Sequence, residues 1–286
     1  GRALIADCSP GKAPDDECLL ATLETWGRRV WRRPLTDVER QRLLHVAVIA
    51  ADTLDDGWAG VEYLLATLLQ SPHFLYRVEV GEPDPTVAGQ RRHTSVEMAT
   101  RLSYFLWNSA PDDELLAAAM DGLLVTDAGV DAQVQRMLAD DRARAAVTGF
   151  FSQWLRLELL DDLQKDPNIF KHFDPDLGPM AREETLRLIE HMVFEVGADY
   201  RDLFRTRTTF VNRRLAAIYN IPAPLDDGFG RVVLPESGQR RGILGHVSFL
   251  ALHSHPVASS PTLRGLFIRE HILCDDIPSP PSNLNT

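Results

Sequence analysis

The 286-residue chain lacks the short motifs that identify the common enzyme classes. It contains no G-x-S-x-G nucleophile turn, no G-x-G-x-x-G dinucleotide loop, no H-E-x-x-H and no phosphate-binding P-loop. Ordinary serine hydrolases, nucleotide-binding enzymes and zinc proteases are therefore not indicated. No substrate class can be assigned from motifs of this kind.

Long apolar runs and basic blocks are also absent. No run approaches the roughly 18–20 residues that a membrane-spanning helix needs, so we expect no transmembrane segment in this chain. The net charge is −11, with 41 acidic and 30 basic residues, and the basic residues form no block longer than a pair. Since nucleic-acid binding normally requires a basic face, no nucleic-acid partner is expected.

Cysteine is scarce, with only three residues. Cys8 and Cys18 flank a polar loop rich in proline, glycine and aspartate, and a disulfide between them would restrict a segment that has little to pack. The alternative is a pair of thiols in a cytosolic protein. A disulfide predicts an oxidising compartment, namely the periplasm, the cell surface or the medium. Cys274 is then unpaired and available to a metal or to another cysteine.

Strand patterns are rare, and only residues 230–235 read as one. Apolar residues elsewhere recur at three- and four-residue steps, which indicates helices. We therefore predict an all-α fold, an irregular array of about ten to twelve helices with at most a minor β element near 230–235. Thr36 and Glu39 predict a capping box, and Ser95 is the predicted N-cap of a later helix. The longest helix is expected over residues 180–196.

A loop over residues 81–93 is the clearest break in the first half of the chain. This loop divides the chain into two predicted domains. The N-terminal helical domain, 1–80, contains the Cys8/Cys18 loop, and the main helical domain covers 94–275. Residues 276–286 are predicted to be a proline-rich linker, because Ile-Pro-Ser-Pro-Pro cannot continue a helix.

The predicted helix 180–196 carries four glutamates and one histidine. His191 and Glu195 are four residues apart and share a face, which is one way to hold a metal ion. A di-iron bundle, however, needs Glu-x-x-His on two helices, and no second copy is present. We favour a solvated acidic face, with Leu186, Ile189 and Val193 buried on the other side.

Residues 245–281 hold four of the nine histidines together with Cys274. His253 and His255 alternate in a turn before Pro256, so both rings could face one ligand, and His271 and Cys274 are three apart on a helix. A metal site is one interpretation, and helix capping or packing is the other. His73, which follows Ser71-Pro72, likewise could be a ligand or a hydrogen-bonded structural residue at a helix break.

The arginine pairs 32–33 and 240–241 could bind anions, but solvation or pairing with carboxylates is the simpler interpretation.

Six ordered segments carry a resemblance over nearly the whole chain: WRRPLTDVERQRLL, LLQSPHFLYRVEVGEP, ATRLSYFLWNSAPDDELL, ADDRARAAVTGFFSQWL, TTFVNRRLAAIYNIP and RRGILGHVSFLALHSHPVASSPTLRGLFIREHILCDDIPSPP. Together they resemble domains of unknown function from planctomycete proteins, found in tandem with cytochrome-like domains. In such proteins the proline-rich segment leads into a C-x-x-C-H attachment region for haem c. This sequence stops before any such motif, so the haem-binding segment is expected to lie C-terminal to it.

The resemblance implies an exported protein, periplasmic or at the cell surface, whose partner is a c-type cytochrome domain in the same or another chain. It implies haem c as the cofactor, carried by a neighbouring segment. Because six-coordinate haem iron needs a second axial ligand, His255 is the first candidate in this chain, followed by His253 and His73.

Three functions remain open at this point. The first is a redox-associated module serving electron transfer or an oxidoreductase of unknown substrate. The second is a non-catalytic structural or interaction component of a surface or periplasmic assembly, with other proteins of that compartment as partners. The third is a metal-dependent enzyme using the His, Cys and Glu residues. Whether the chain is an enzyme is left undecided.

Overall fold

The computed structural model describes residues 1–278 of the chain. These residues form twelve α-helices and two small antiparallel sheets, which confirms the mainly α-helical prediction with a minor β element. The chain divides into two compact units, Gly1–Ala143 and Arg144–Thr286. The predicted domains 1–80 and 94–275 stay a prediction, and most of the proposed linker 276–286 lies outside the described residues.

The N-terminal unit is built from helices that cap themselves with nearby side chains. Its elements are α1 (Glu17–Trp31), α2 (Asp37–Leu54), α3 (Gly57–Gln70), α4 (Pro72–Leu75), β1 (Glu82–Pro83), β2 (Arg91–Arg92), α5 (Ser95–Trp107), α6 (Asp113–Met120) and α7 (Asp127–Leu138). Strand β1 pairs with β2 in the register Glu82↔Arg92. The hydrophobic core of this unit lies between α1, α2 and α3 and contains buried leucines that include Leu19, Leu43 and Leu64.

Two capping boxes begin α2 and α5. Thr36 accepts the amide of Glu39 at 3.3 Å, and the Glu39 carboxylate accepts the Thr36 amide at 2.9 Å, as the sequence predicts. At α5 the N-cap is Thr94, with Glu97 as its partner, and not Ser95. The Ser95 prediction is wrong by one residue because the Thr-x-x-Glu pair satisfies two helix-end amides, whereas Ser95 has no such partner three residues on.

The C-terminal unit, as far as residue 278, contains five α-helices and one antiparallel pair of strands. Its elements are α8 (Asp141–Trp154, which begins at the end of the first unit), α9 (Leu177–Glu190), β3 (Thr208–Val211), α10 (Arg213–Tyr219), β4 (Gly230–Val233), α11 (Val247–Leu252) and α12 (Pro261–Phe267). The predicted strand near 230–235 is confirmed as β4. Its partner, β3, pairs antiparallel with Thr208 opposite Val233 and was not predicted.

The helix predicted over 180–196 is present over 177–196, but it is not one regular α-helix. Helix α9, with 14 residues, ends at Glu190 and continues without a break as a π-helical turn of 6 residues over His191–Val196, so the continuous helix is longer than α2, which has 18 residues. The prediction of a solvated acidic face is confirmed only in part: Ile189 is buried and Glu195 is exposed, as expected. However, Glu184 is 0% exposed, and Val193, expected inside, is 36% exposed. The buried stripe of α9 runs through Ala181, Glu184, Thr185, Leu188 and Met192.

Candidate functional site

The disulfide predicted between Cys8 and Cys18 is present, with the two Cα atoms 5.8 Å apart. Because Cys18 belongs to α1, the bond ties the N-terminal loop to the first helix of the unit. Cys274 is exposed and unbonded in the described part of the chain, at a backbone φ of 55°.

The turn His253–Pro256 follows α11 and presents His255 to solvent. The Lys165 ammonium donates to the backbone oxygens of Ser254 at 2.9 Å and of His255 at 3.1 Å. The His255 amide donates to the oxygen of Ala258 at 2.8 Å. The backbone of this turn is thus fixed from both sides, while the His255 ring is accessible.

His253 lies two residues away in different surroundings. Its ring packs between Phe249, at 4.7 Å between ring centres, and Phe267, at 4.3 Å. Its Nε2 is buried and has no hydrogen-bond partner among the residues that the structure describes. Burial, with the nearby charge of Arg156, lowers the pKa of His253 to about 4, so the ring is neutral near pH 7.

His73 belongs to the N-terminal unit, on the short helix α4. Its ring packs against Trp31 at a tilt of 49°, with the ring centres 4.8 Å apart. Its Nε2 lies 3.3 Å from Nη2 of Arg33 and 3.7 Å from Oε1 of Glu39. The side chain is therefore engaged by a neighbouring ion pair.

His271 and Cys274 are close in sequence but form no metal cluster with other residues. Nε2 of His271 is 2.7 Å from Nη2 of Arg156, and the ring stacks on Phe267 at 4.8 Å. Residues 1–278 contain no group of three or more His, Cys, Asp or Glu side chains placed to hold a metal ion. Metal binding by His271 and Cys274 stays a prediction that requires further ligands from elsewhere.

The three candidate haem ligands differ in how well their nitrogen atoms fit the role. Axial ligation requires an imidazole nitrogen that can reach the iron. The exposed ring of His255 meets this requirement, whereas the Nε2 of His253 is shielded and that of His73 contacts Arg33. His255 therefore fits best.

A buried polar cluster that sequence reasoning missed lies in the C-terminal unit. Glu184 is 0% and His246 2% exposed. One carboxylate oxygen of Glu184, Oε1, accepts hydrogen bonds from Thr209 Oγ1 and from the Tyr219 hydroxyl, each at 2.7 Å. Its other oxygen, Oε2, has no partner in the described residues. The pKa of Tyr219 is raised, first by burial and then by the charge of Glu184.

His246 continues this cluster towards α11. Its Nδ1 is 3.0 Å from Thr185 Oγ1, and its Nε2 is 3.3 Å from Thr209 Oγ1. Burial lowers the pKa of His246, so the ring is neutral and one of its nitrogens must accept a hydrogen bond. Because Thr209 donates to Glu184, we assign the ring proton to Nε2 and the acceptor role to Nδ1. Ser248 lies 2.7 Å from Thr185 and completes the cluster.

Next to this cluster is a cavity of about 460 Å³, which we call the basic-apolar cavity. It is lined by Lys165, Ile169, Phe170, Lys171, His172, Phe173, Leu177, Ile218, Arg240, Val247, Leu250, Ala251 and Ser254. The guanidinium of Arg240 lies 4.9 Å from the centre of the Tyr219 ring. The cavity thus adjoins both the buried cluster and the turn that carries His255.

The arginine pairs follow the expectation only in part. Arg33 pairs with Glu39 at 2.7 Å, as expected of an arginine in an acidic chain. Arg32 is 4% exposed and donates to the backbone oxygens of His73 and Tyr76, at 2.6 and 3.0 Å. It contacts no carboxylate within residues 1–278. The predicted solvated or carboxylate-paired state is therefore wrong for Arg32.

None of the helices in residues 1–278 is both long and apolar enough to span a bilayer.

No curated protein and no solved structure matches the chain. Three family models do match it. Residues 18–79 match PSD5, a protein of unknown function (DUF1595), and residues 94–221 match PSD4, a protein of unknown function (DUF1592). Residues 240–286 match PSCyt3, a protein of unknown function (DUF1588), whose name points to an association with cytochromes.

These matches follow one another in the order of the segments that carry the resemblance. The matched part of PSCyt3 includes α11, the His253–Pro256 turn and α12. The chain thus contains, in succession, segments that match the PSD5, PSD4 and PSCyt3 models of unknown function, which confirms the resemblance to planctomycete-type, cytochrome-associated domains.

Proposed function

We propose that this chain is an exported helical module that packs against a c-type cytochrome domain, in the same or a partner chain, and serves electron transfer or an oxidoreductase reaction. The observation that carries the proposal is the exposed, backbone-anchored His255 within the segment that matches PSCyt3. The substrate of any such reaction is left unassigned.

The disulfide between Cys8 and Cys18 indicates the cellular compartment of the protein. Bonds of this kind persist in oxidising compartments and are rare in the reducing cytosol. Cys8 and Cys18 are joined in a ten-residue loop, which supports a periplasmic or cell-surface location.

The role of this chain's own residues is to position and shield. His255 would approach the iron as an axial ligand from a turn whose backbone Lys165 holds in place. The packed rings of Phe249, His253 and Phe267 form an apolar layer beside that turn. When bound, haem c would supply the one-electron chemistry, and burial against such a layer would tune its potential.

The test is optical spectroscopy of the protein isolated from its natural host, together with the cytochrome that accompanies it. We expect a low-spin haem spectrum that His255→Ala converts to high-spin, because the iron loses its sixth ligand. His45→Ala is the matched control, since His45 is an exposed histidine on α2, and it should leave the spectrum unchanged. An unchanged low-spin spectrum in His255→Ala removes this residue from the role.

A non-catalytic structural component is the second candidate, and exposed apolar side chains in the N-terminal unit favour it. Phe105 is 83%, Tyr76 65% and Val80 66% exposed, which is unusual for aromatic and branched residues. A colourless protein that nonetheless associates stably with surface proteins, and loses this association in Phe105→Ser, would favour this function over the first.

A further inference from the structure

The basic-apolar cavity has a lining that does not match the rest of the chain. The chain as a whole carries a net charge of −11. None of the thirteen lining residues is acidic, whereas three are lysine or arginine and one is histidine. Eight of the remaining residues are apolar. The cavity therefore combines positive charge with an apolar surface.

The cations of this cavity have no carboxylate partners in residues 1–278. Lys165 donates to Ser254 Oγ at 2.8 Å and to the two backbone oxygens of the turn, and all three acceptors are neutral. Burial lowers the pKa of Lys165, in keeping with this setting. Arg240 donates from Nη1 to the oxygen of Gly245 at 2.9 Å and stacks on the Tyr219 ring.

Arg240 is therefore the group best suited to hold an anion. A guanidinium has five N–H donors in a planar fork, and only one donor of Arg240 has a partner among the described residues. The guanidinium also lies over the Tyr219 ring, with Cζ 4.9 Å from the ring centre. The three hydrogens of Lys165 are already used, so this residue contributes its charge, and the exposed Lys171 adds a second charge at the rim.

The size and the apolar surface define the rest of the ligand. Cavities of about 300–1,000 Å³ hold small organic molecules that bury most of their surface. Phe170, Ile218 and Leu250 line the cavity and can exclude water from an apolar body of this size. An ion without such a body would leave this surface uncovered.

We infer that the basic-apolar cavity is a binding site for a small apolar carboxylic acid, with its carboxylate on Arg240 and its hydrocarbon part against the apolar wall. This site is additional to the proposed cytochrome contact and does not depend on it. Arg240 provides recognition of the anion, Lys165 and Lys171 provide the surrounding positive charge, and the apolar residues provide most of the affinity.

The experiment is calorimetric titration of the full chain with octanoate and with 1-octanol, its neutral counterpart. We expect octanoate to bind with one site per chain and at least about tenfold more tightly than the alcohol, because only the acid can pair with Arg240. Equal binding of the two compounds, or no binding of octanoate up to about 10 mM, would overturn the inference.

Two variants locate the site. Arg240→Gln should weaken octanoate binding about tenfold, whereas Arg241→Gln, a change in the adjacent and exposed arginine, should leave it within about twofold. Equal effects of the two variants would contradict anion recognition by Arg240.

Arg240 also contacts Tyr219 and Gly245, so its variant can lose the fold, which circular dichroism would reveal. Lys171→Gln changes an exposed side chain at the rim and avoids that difficulty. It should weaken octanoate a few-fold and leave octanol unchanged, because it removes charge and no apolar surface. Ala251→Phe, which adds a ring on the cavity wall, should abolish binding of both compounds. Unchanged binding in both variants would show that octanoate binds elsewhere.

Discussion

The two units of this chain place their hydrogen-bonded glutamates in different surroundings. In the N-terminal unit, Glu39 and Glu97 are placed at helix ends, where they cap α2 and α5 near the surface. In the C-terminal unit, Glu184 is fully buried and bound by the hydroxyl groups of Thr209 and Tyr219. The first arrangement secures helix ends, and Glu97 also accepts the amides of Val80 and Gly81. The second joins α9, β3 and α10.

The difference has an energetic meaning. A surface carboxylate in a cap contributes about 1 kcal/mol, because water already solvates it well in the unfolded chain. A buried carboxylate is costly to place, and the loss of its partners, or of the group itself, leaves other polar groups unsatisfied. The C-terminal unit should therefore be more sensitive to single changes than the N-terminal unit.

The largest effect is expected from Glu184→Ala. The change leaves the hydroxyl groups of Thr209 and Tyr219 without their acceptor and opens a cavity, so the free energy of unfolding of the C-terminal unit should fall by about 3 kcal/mol. Denaturant unfolding combined with peptide-resolved hydrogen exchange measures it. Glu183→Ala is the control, because Glu183 is partly exposed and Arg187 is its one ion-pair partner among residues 1–278, and its effect should stay below about 0.5 kcal/mol. Equal effects of the two changes would refute the contrast.

The second effect concerns the disulfide of the N-terminal unit. Replacing Cys8 and Cys18 together by serine should lower the stability of that unit by about 2–3 kcal/mol, because the unfolded chain regains the freedom of the closed loop. Faster hydrogen exchange in α1 would report the loss. Cys274→Ser should change nothing, since this thiol is exposed and unbonded. An unaltered α1 in the double variant would mean that the bond constrains little.

Acid should destabilise the C-terminal unit first. Burial lowers the pKa of His246 in the folded state below its ordinary value of 6.5, so the unfolded chain takes up the proton first as the pH falls. The free energy of unfolding therefore falls as the pH drops below 6.5, by at most about 1.4 kcal/mol per pH unit. The groups facing His246 are Glu184, which opposes this shift, and Arg240, which adds to it. His246→Asn should reduce this pH dependence in hydrogen exchange of β3 and α11 and leave the part due to His253, whose lowered pKa of about 4 acts in the same direction. A slope that does not change would show that His246 does not contribute to it.

In the N-terminal unit the corresponding loss begins only at lower pH. The guanidinium of Arg33 hydrogen-bonds Glu39 and lowers its pKa from 4.5 to about 2. The stabilisation is thus complete above pH 4.5 and is lost as the pH falls towards 2.

Thr36→Ala should cost about 1 kcal/mol at pH 7 by removing the cap from α2, as measured by denaturant unfolding. A cost that extends to the exchange of C-terminal peptides would contradict its local origin.

The same contrast explains what could be predicted from the sequence. The capping box of α2 was predictable because Thr36 and Glu39 are three residues apart, and the disulfide because Cys8 and Cys18 flank one short loop. The buried cluster joins Thr185 to His246 across 61 positions and Glu184 to Thr209 across 25. No local pattern marks such pairs.

The position of Glu184 was misjudged for a related reason. In α9, Ala181, Leu188 and Met192 mark the buried stripe, but the two polar residues between them, Glu184 and Thr185, make that stripe look solvated. The pairing of β3 with β4 was likewise hidden, because Thr208–Val211 is only four residues long and lies between helical turns.

The wide turn that ends α9 has a consequence for chain length. A π-helical turn holds one residue more than an α-helical turn, so it behaves as a single insertion accommodated without a break in the helix. His191–Val196 is such a turn, and Ile268–Ile272 is a second one after α12. Relatives that are one residue shorter at either place should have a regular helix there and the same buried stripe before it. A gap in an alignment at these positions would then mark a change of helical pitch and not the loss of an element.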